Sequence, residues 1–167
     1  VPAPAARGVE RGGNRRALGE DLRAPFGDRH LAAAAFEQQP RLAAALGSAA
    51  APYEVDVTRE SQVQAMARDA LAQFGRIDIL VNNAGYGSLG LFEENSAEDI
   101  ERQFATNVFG LFDVTRAVLP VMRRQRSGHI FNLSSVAGLT GLAGGSIYCA
   151  TKFAVEGFSE ALAKEVV

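Results

Sequence analysis

Apolar side chains recur at Val63, Met66, Ala67, Ala70, Leu71 and Phe74, the spacing of one helical face, and Gly75 follows as a stop, so residues 60–74 predict an amphipathic helix. The run Ile77-Asp-Ile-Leu-Val-Asn-Asn-Ala-Gly85 then reads as a β-rich buried strand ending in small polar residues. From Ser96 to Val121 the pattern turns helical again, with Ser96 as cap, Asp99 in the first turn and a stripe from Ile100 through Phe104, Val108, Leu111, Phe112, Thr115 and Val118 to Leu119. His129-Ile-Phe-Asn-Leu133 predicts a short buried strand. Gly138, Gly141, Gly144 and Gly145 make the next stretch mobile or tightly turned. A final helix over 146–166 carries Phe153, Val155, Phe158, Leu162 and Val166 as its core face.

Upstream the pattern is weaker. Ala51-Pro-Tyr-Glu-Val-Asp-Val57 alternates like a strand, with Thr58 placed to cap the helix after it. Pro40 to Leu46 predicts a short helix ended by Gly47, and Arg29 to Phe36 is defensible as the second strand of a sheet or as helix. The first thirty residues open on Val1, Pro2 and Pro4, and proline cannot donate to a sheet ladder, so they read as a degenerate or poorly ordered opening. Strands alternating with helices define an α/β chain, here one partial domain over 1–167.

With 167 residues, 47% of them hydrophobic, the chain is long enough for one core. A net charge of −2 without a basic block gives no hint of nucleic acid or an anionic membrane as partner. No apolar run reaches membrane-spanning length and Val1 to Arg7 lacks a signal-peptide core. A lone Cys149 excludes an intrachain disulfide and fits a reducing compartment, which makes the cytoplasm the expected location. His30 and His129 have no ligand-like spacing, so no metal is expected.

The candidate chemistry sits near the end of the chain. Tyr148 and Lys152 are four apart, hence on one helical face, and Lys152 is one of only two lysines. An ammonium beside a phenol favours the phenolate, and a phenol so tuned can give or take a proton near neutral pH. Ser135 follows a predicted strand, at the carboxyl end where open α/β sheets place their ligands. Ser134 competes with it on local grounds. Asn82, Asn83, Ala84 and Gly85 end the preceding strand, where two amides can satisfy backbone groups and the small residues let a flat group approach; a purely structural turn fits them as well. Asp56 is open between a binding role and an ordinary acid near a helix start, and Asn107 between a buried amide and a solvated one.

In that order and close to those spacings, Asp56, Asn82 to Gly85, Asn107, Ser135, Tyr148 and Lys152 resemble the short-chain dehydrogenase/reductase family from about Tyr53 onward. The resemblance implies a doubly wound, Rossmann-like parallel sheet ordered 3-2-1-4-5-6-7, present here in incomplete form. It implies an oxidoreductase that moves a hydride between a nicotinamide cofactor and a small-molecule carbonyl or alcohol. Tyr148 would be the general acid/base, Lys152 would tune it and bind the ribose, Ser135 would hold the reacting oxygen, and the backbone carbonyl of Asn107 would hold a relay water. Asp56 and Val57 would hold the adenine, while Asn83, Ala84 and Gly85 line the cofactor cleft. The helices 96–121 and 146–166 would pair two chains into a homodimer, or four into a homotetramer.

The family's phosphate turn, Thr-Gly-x-x-x-Gly-x-Gly, falls best on Ala3 to Glu10, where only Gly8 survives and Pro4 and Glu10 replace the other glycines. Those glycines would let the backbone approach a pyrophosphate; Pro4 removes an N–H and Glu10 adds a negative charge. Arg7 points to NADP over NAD. The alternative to an enzyme is an inactive truncated paralogue or fragment, acting if at all as a dimerisation module.

Overall fold

The computed structural model describes residues 31–33 and 46–166. Three strands, β1 (Leu31–Ala33), β2 (Ile79–Asn82) and β3 (His129–Asn132), form one parallel sheet in that order. Leu31 pairs with Ile79, and Ile79 in turn with His129. The stretch read as either strand or helix is therefore strand over 31–33. It lies directly against β2, where the resemblance places the family's first strand, and so does not take the second strand's place expected for it. Gly8 and Arg7, the whole glycine turn, and nearly all of the helix expected over 40–46 lie outside the described residues.

Helix α1 (Glu60–Phe74) has the bounds that the periodicity predicts, and Gly75 ends it at φ 75°, a left-handed conformation that a side chain would disfavour. Its cap differs from expectation. The N-cap is Arg59, without a side-chain bond, and Thr58 instead belongs to the preceding turn. Residues 51–57 are not a strand, although the alternation is real, since Val55 and Val57 are buried. Alternation fixes which side chains face the core, but a strand also needs a neighbour to share its ladder, and none pairs with this segment among the described residues.

The long central helix begins on a capping box: the Ser96 hydroxyl accepts from the Asp99 N–H at 3.1 Å, and the Ser96 N–H donates back to the Asp99 carboxylate at 3.4 Å. It runs past Val121 as α2 (Ala97–Phe104), a π-helical segment (Ala105–Gly110) and α3 (Leu111–Gln125). The π segment holds Asn107, Val108 and Gly110 inward. At Gly110 an added methyl would lie 2.7 Å from Val57 Cγ2, so only glycine lets this helix seat on the 51–57 segment.

Val55, Val57, Val63, Met66, Leu80, Val114, Val118 and Met122 form the core between α1, α3 and β2. Helix α4 (Ser146–Glu165) covers the same sheet face, with Val155 and Leu162 buried; Phe153 and Val166, expected on that face, are exposed. Asn82 ties these layers together. Its Nδ2 donates to Thr115 Oγ1 on α3 at 3.0 Å and to Asn132 Oδ1 on β3 at 2.9 Å, and Asn132 Nδ2 passes on to Ser159 Oγ of α4 at 2.8 Å. The other sheet face is open among the described residues, and Phe131 on it is 53% exposed. Strand β3 is thus not the buried strand that its composition predicts, because side chains alternate between the two faces and helices cover only one of them here. No helix among the described residues is long and apolar enough to cross a membrane.

Candidate active site

The carboxyl ends of β2 and β3 open toward the same place, and α4 presents its first turns there. Lys152 is buried, and its Nζ donates to the Leu133 carbonyl at 2.7 Å, which fixes the ammonium just beyond the end of β3. It lies 5.8 Å from the centre of the Tyr148 ring. The helical spacing therefore delivers what it predicts: both groups share one edge of α4.

Beyond β2 the chain turns through Asn83, Ala84 and Gly85 to Tyr86, where Asn107 receives it. Asn107 Oδ1 accepts from the Tyr86 N–H at 3.0 Å, while its Nδ2 donates to the Tyr86 carbonyl at 2.8 Å and to Thr151 Oγ1 at 3.1 Å. The amide thus pairs with a backbone residue at two points, as a neighbouring strand would. Gln103, wholly buried one turn earlier, adds a third bond, donating to the same Tyr86 carbonyl at 3.1 Å. A methyl on Gly85 would lie 3.1 Å from Asn107 Oδ1 and 4.0 Å from Lys152 Nζ, and one on Gly87 would lie 3.4 Å from Tyr148 Cδ2. Asn107, Gly85, Lys152 and Tyr148 are accordingly gathered at one point, with Gly85 and Asn83 exposed beside them.

Ser135 and Asp56 are each held in a turn of their own. The Ser135 hydroxyl accepts from the Ala137 N–H at 3.2 Å and heads the short turn Val136–Gly138, which packs on α4. Ser134 is placed differently, its hydroxyl buried behind Gly138, where a methyl would come within 2.7 Å of it. Asp56 Oδ1 accepts from both the amide and the hydroxyl of Thr58, at 3.0 and 2.7 Å, and Arg59 approaches Oδ2 at 3.3 Å. Those Thr58 bonds, with smaller help from Arg59, hold the Asp56 carboxyl below the usual carboxylate range. Val57 is buried, with its side chain and its carbonyl oxygen both lying against Gly110. Cys149 is structural: its Sγ accepts from the Leu142 N–H at 3.3 Å and pins the 139–145 loop to α4.

Sequence reasoning missed Gln103, Thr151 and Tyr86. For Gln103 and Thr151 a signal exists in the spacing, since Gln103 stands four before Asn107 and Thr151 one before Lys152. Nothing in the sequence marks Tyr86, whose part is played by its backbone.

Parallel strands with such a polar group at their carboxyl ends define an incomplete Rossmann-like α/β protein. The chain belongs to the short chain dehydrogenase family of oxidoreductases, whose model matches residues 16–167. It is 46% identical over 112 residues to a 3-ketodihydrosphingosine reductase of Bacteroides thetaiotaomicron, covering 67% of this chain and 42% of that protein. To retinol dehydrogenase 8 of Bos taurus it is 42% identical over 123 residues, 74% of this chain and 39% of that protein. Among solved structures, a short-chain dehydrogenase from Streptomyces avermitilis superposes with a TM-score of 0.76 at 43% identity, over 80% of this chain and 49% of that one. One from Burkholderia phymatum, in complex with NAD, gives 0.70 at 39% identity, over 73% of this chain and 44% of the other. The chain thus spans about half or less of the length of these relatives.

Proposed function

We propose that the protein transfers hydride between a nicotinamide dinucleotide and a carbonyl or alcohol substrate, with Tyr148 as general acid/base. The observation that supports this most is the meeting of Tyr148, Lys152, Asn107 and Gly85 at the strand ends. It favours an enzyme over an inactive fragment, because an interaction module has no need of a buried lysine aimed beside a phenol.

The site suits the nicotinamide end of such a cofactor. The missing Cβ of Gly85 leaves a flat, exposed approach beside Asn107 Oδ1 and Lys152 Nζ, a space that a methyl would narrow. When bound, the cofactor supplies or accepts the hydride. Lys152 would hold ribose hydroxyls with the N–H donors left after its bond to Leu133, and its positive charge stands beside the phenol. Tyr148 would pass a proton to or from the substrate oxygen, which Ser135 would hold in place. The Ser134 hydroxyl is buried, while that of Ser135, a partly buried residue, is an acceptor in its own turn, and this difference supports the choice of Ser135. Asn107 keeps the Tyr86 turn, and with it Gly87, against the Tyr148 ring. Asn83 and Ala84 would line the same cleft, while Asp56 and the Val57 backbone would meet the adenine. Gly8 would meet the pyrophosphate and Arg7 a 2′-phosphate, which favours NADP over NAD. Related structures hold NAD in one case and NADP in another.

Titrating the purified protein with NADPH and with NADH, and following nucleotide fluorescence and melting temperature, tests this reading. Saturable binding with a rise in melting temperature is expected, NADPH being the tighter; no binding of either nucleotide refutes it.

The same reading includes a homodimer, or a homotetramer, through the two long helices. Phe109, Phe112 and Phe158 meet in series there, the first pair edge to face and the second tilted, with ring centres 6.3 and 4.5 Å apart, along a groove of about 500 Å³, and Phe109 is mostly exposed. Sedimentation equilibrium should give a mass of at least two chains, and replacing Phe112 by aspartate should bring it to one; a monomeric parent would rule the dimer out.

A further inference from the structure

We infer that the site takes a neutral substrate with an extended apolar body and excludes carboxylate-bearing ones, an inference that rests on the oxidoreductase reading above. Two loops flank Tyr148, residues 83–92 after β2 and 133–145 after β3, and neither contains a single charged residue. Of the twelve large apolar side chains exposed among the described residues, eight lie on these loops, so the exposure is concentrated around the site rather than scattered over the surface. Leu89, Leu91, Phe92, Val136, Leu139 and Leu142 are the largest contributors, each between 48 and 76% exposed. Scattered single leucines need no explanation, but a cluster of this kind beside a cleft marks a binding surface.

The loops are built as one wall. The Gly90 N–H donates to the Gly144 carbonyl at 2.9 Å, and a methyl on Gly145 would touch both Leu142 Cβ and Leu89 Cδ2, at 3.5 and 3.7 Å. Gly144 makes the turn at φ 71°. The wall is continuous with the chemistry, since Gly87 abuts the Tyr148 ring and Ser135 opens the second loop. Where charge does begin, directly after Phe92, it is acidic: Glu93 and Glu94 are both exposed. An anionic substrate would meet an apolar wall and then a like charge, with nothing on either loop to compensate it. A ketone or secondary alcohol with an alkyl or alicyclic body would bury that body against leucines while its oxygen reaches Tyr148.

The test is a ligand series. Binding of the neutral 2-alkanones from pentan-2-one to undecan-2-one is read by ligand-observed NMR, beside the 2-oxo acids of equal length. Turnover is followed separately by NADPH absorbance. Affinity for the ketones should rise about fourfold per added methylene until the wall is filled, and the oxo acids should bind at least tenfold more weakly. Replacing Leu89→Asp and Leu139→Asp together should flatten that series while NADPH still binds and the protein still melts cooperatively. Affinity independent of chain length, or a preference for the oxo acids, overturns the inference. Length-dependent binding without turnover upholds the apolar wall and counts against the oxidoreductase reading instead.

Discussion

Replacing Tyr148 by phenylalanine should lower turnover at least a hundredfold and leave nucleotide binding where it was. The substitution removes one hydroxyl and little else. The ring would still seat against Gly87, and Lys152 would keep its bond to the Leu133 carbonyl, because neither contact involves the phenolic oxygen. Fold and cofactor pocket should therefore survive. A positioned general acid/base contributes on the order of 10²–10⁴ in rate, and the loss should fall in that range. Steady-state kinetics beside the NADPH titration separates the outcomes: wild-type turnover in Tyr148→Phe would remove Tyr148 from the proton-transfer role, whatever the titration shows.

Asn107→Leu should reduce both stability and turnover. Leucine shares the branched shape of asparagine, is bulkier, and carries neither donor nor acceptor. The Tyr86 carbonyl would keep its bond from Gln103, and Thr151 would keep the bond its hydroxyl donates to the Tyr148 carbonyl at 2.7 Å. The Tyr86 N–H would lose its partner, and losing one such part-buried hydrogen bond costs about 0.5–1.5 kcal/mol. Urea unfolding should show a loss of that size. Turnover should fall as well, since Tyr86 leads into Gly87 and the wall behind Tyr148. Asn107→Asp keeps the acceptor for the Tyr86 N–H and should recover part of the stability, though not the bonds donated by Nδ2. If Asn107→Leu unfolds at the parent's urea midpoint, the clamp on Tyr86 contributes nothing.

Much of this arrangement could be read before any coordinates. The helix from Glu60 to Phe74 and its glycine stop are local events: a periodic apolar stripe and one residue free to take positive φ. The same holds for the cap at Ser96 and for the pairing of Tyr148 with Lys152, which depends only on 3.6 residues per turn. What could not be read depends on partners distant in sequence. Asn107 was a candidate by resemblance, but its hold on Tyr86 depends on a turn twenty-one residues away. Asn82 sits in an apolar run, and only the assembled layers show that Thr115 and Asn132 are there to meet it. Tyr53 to Val57 alternates as a strand does, yet alternation is a statement about faces and not about ladders. Phe131 looks like core by composition, and its exposure follows from which sheet face the helices cover.

The π segment at Ala105–Gly110 has a consequence for how this chain tolerates change. A π turn amounts to one surplus residue in an otherwise α-helical rod. Deleting the surplus residue would let the rod close into uninterrupted α-helix with its two halves still in phase, whereas inserting a further one would turn them relative to each other by about 100°. Either the amide of Asn107 would swing away from Tyr86, or Val114 and Val118 would swing out of the core. An insertion that the flanking loops could absorb is thus disallowed across these six residues, where the length of the chain is itself part of the site.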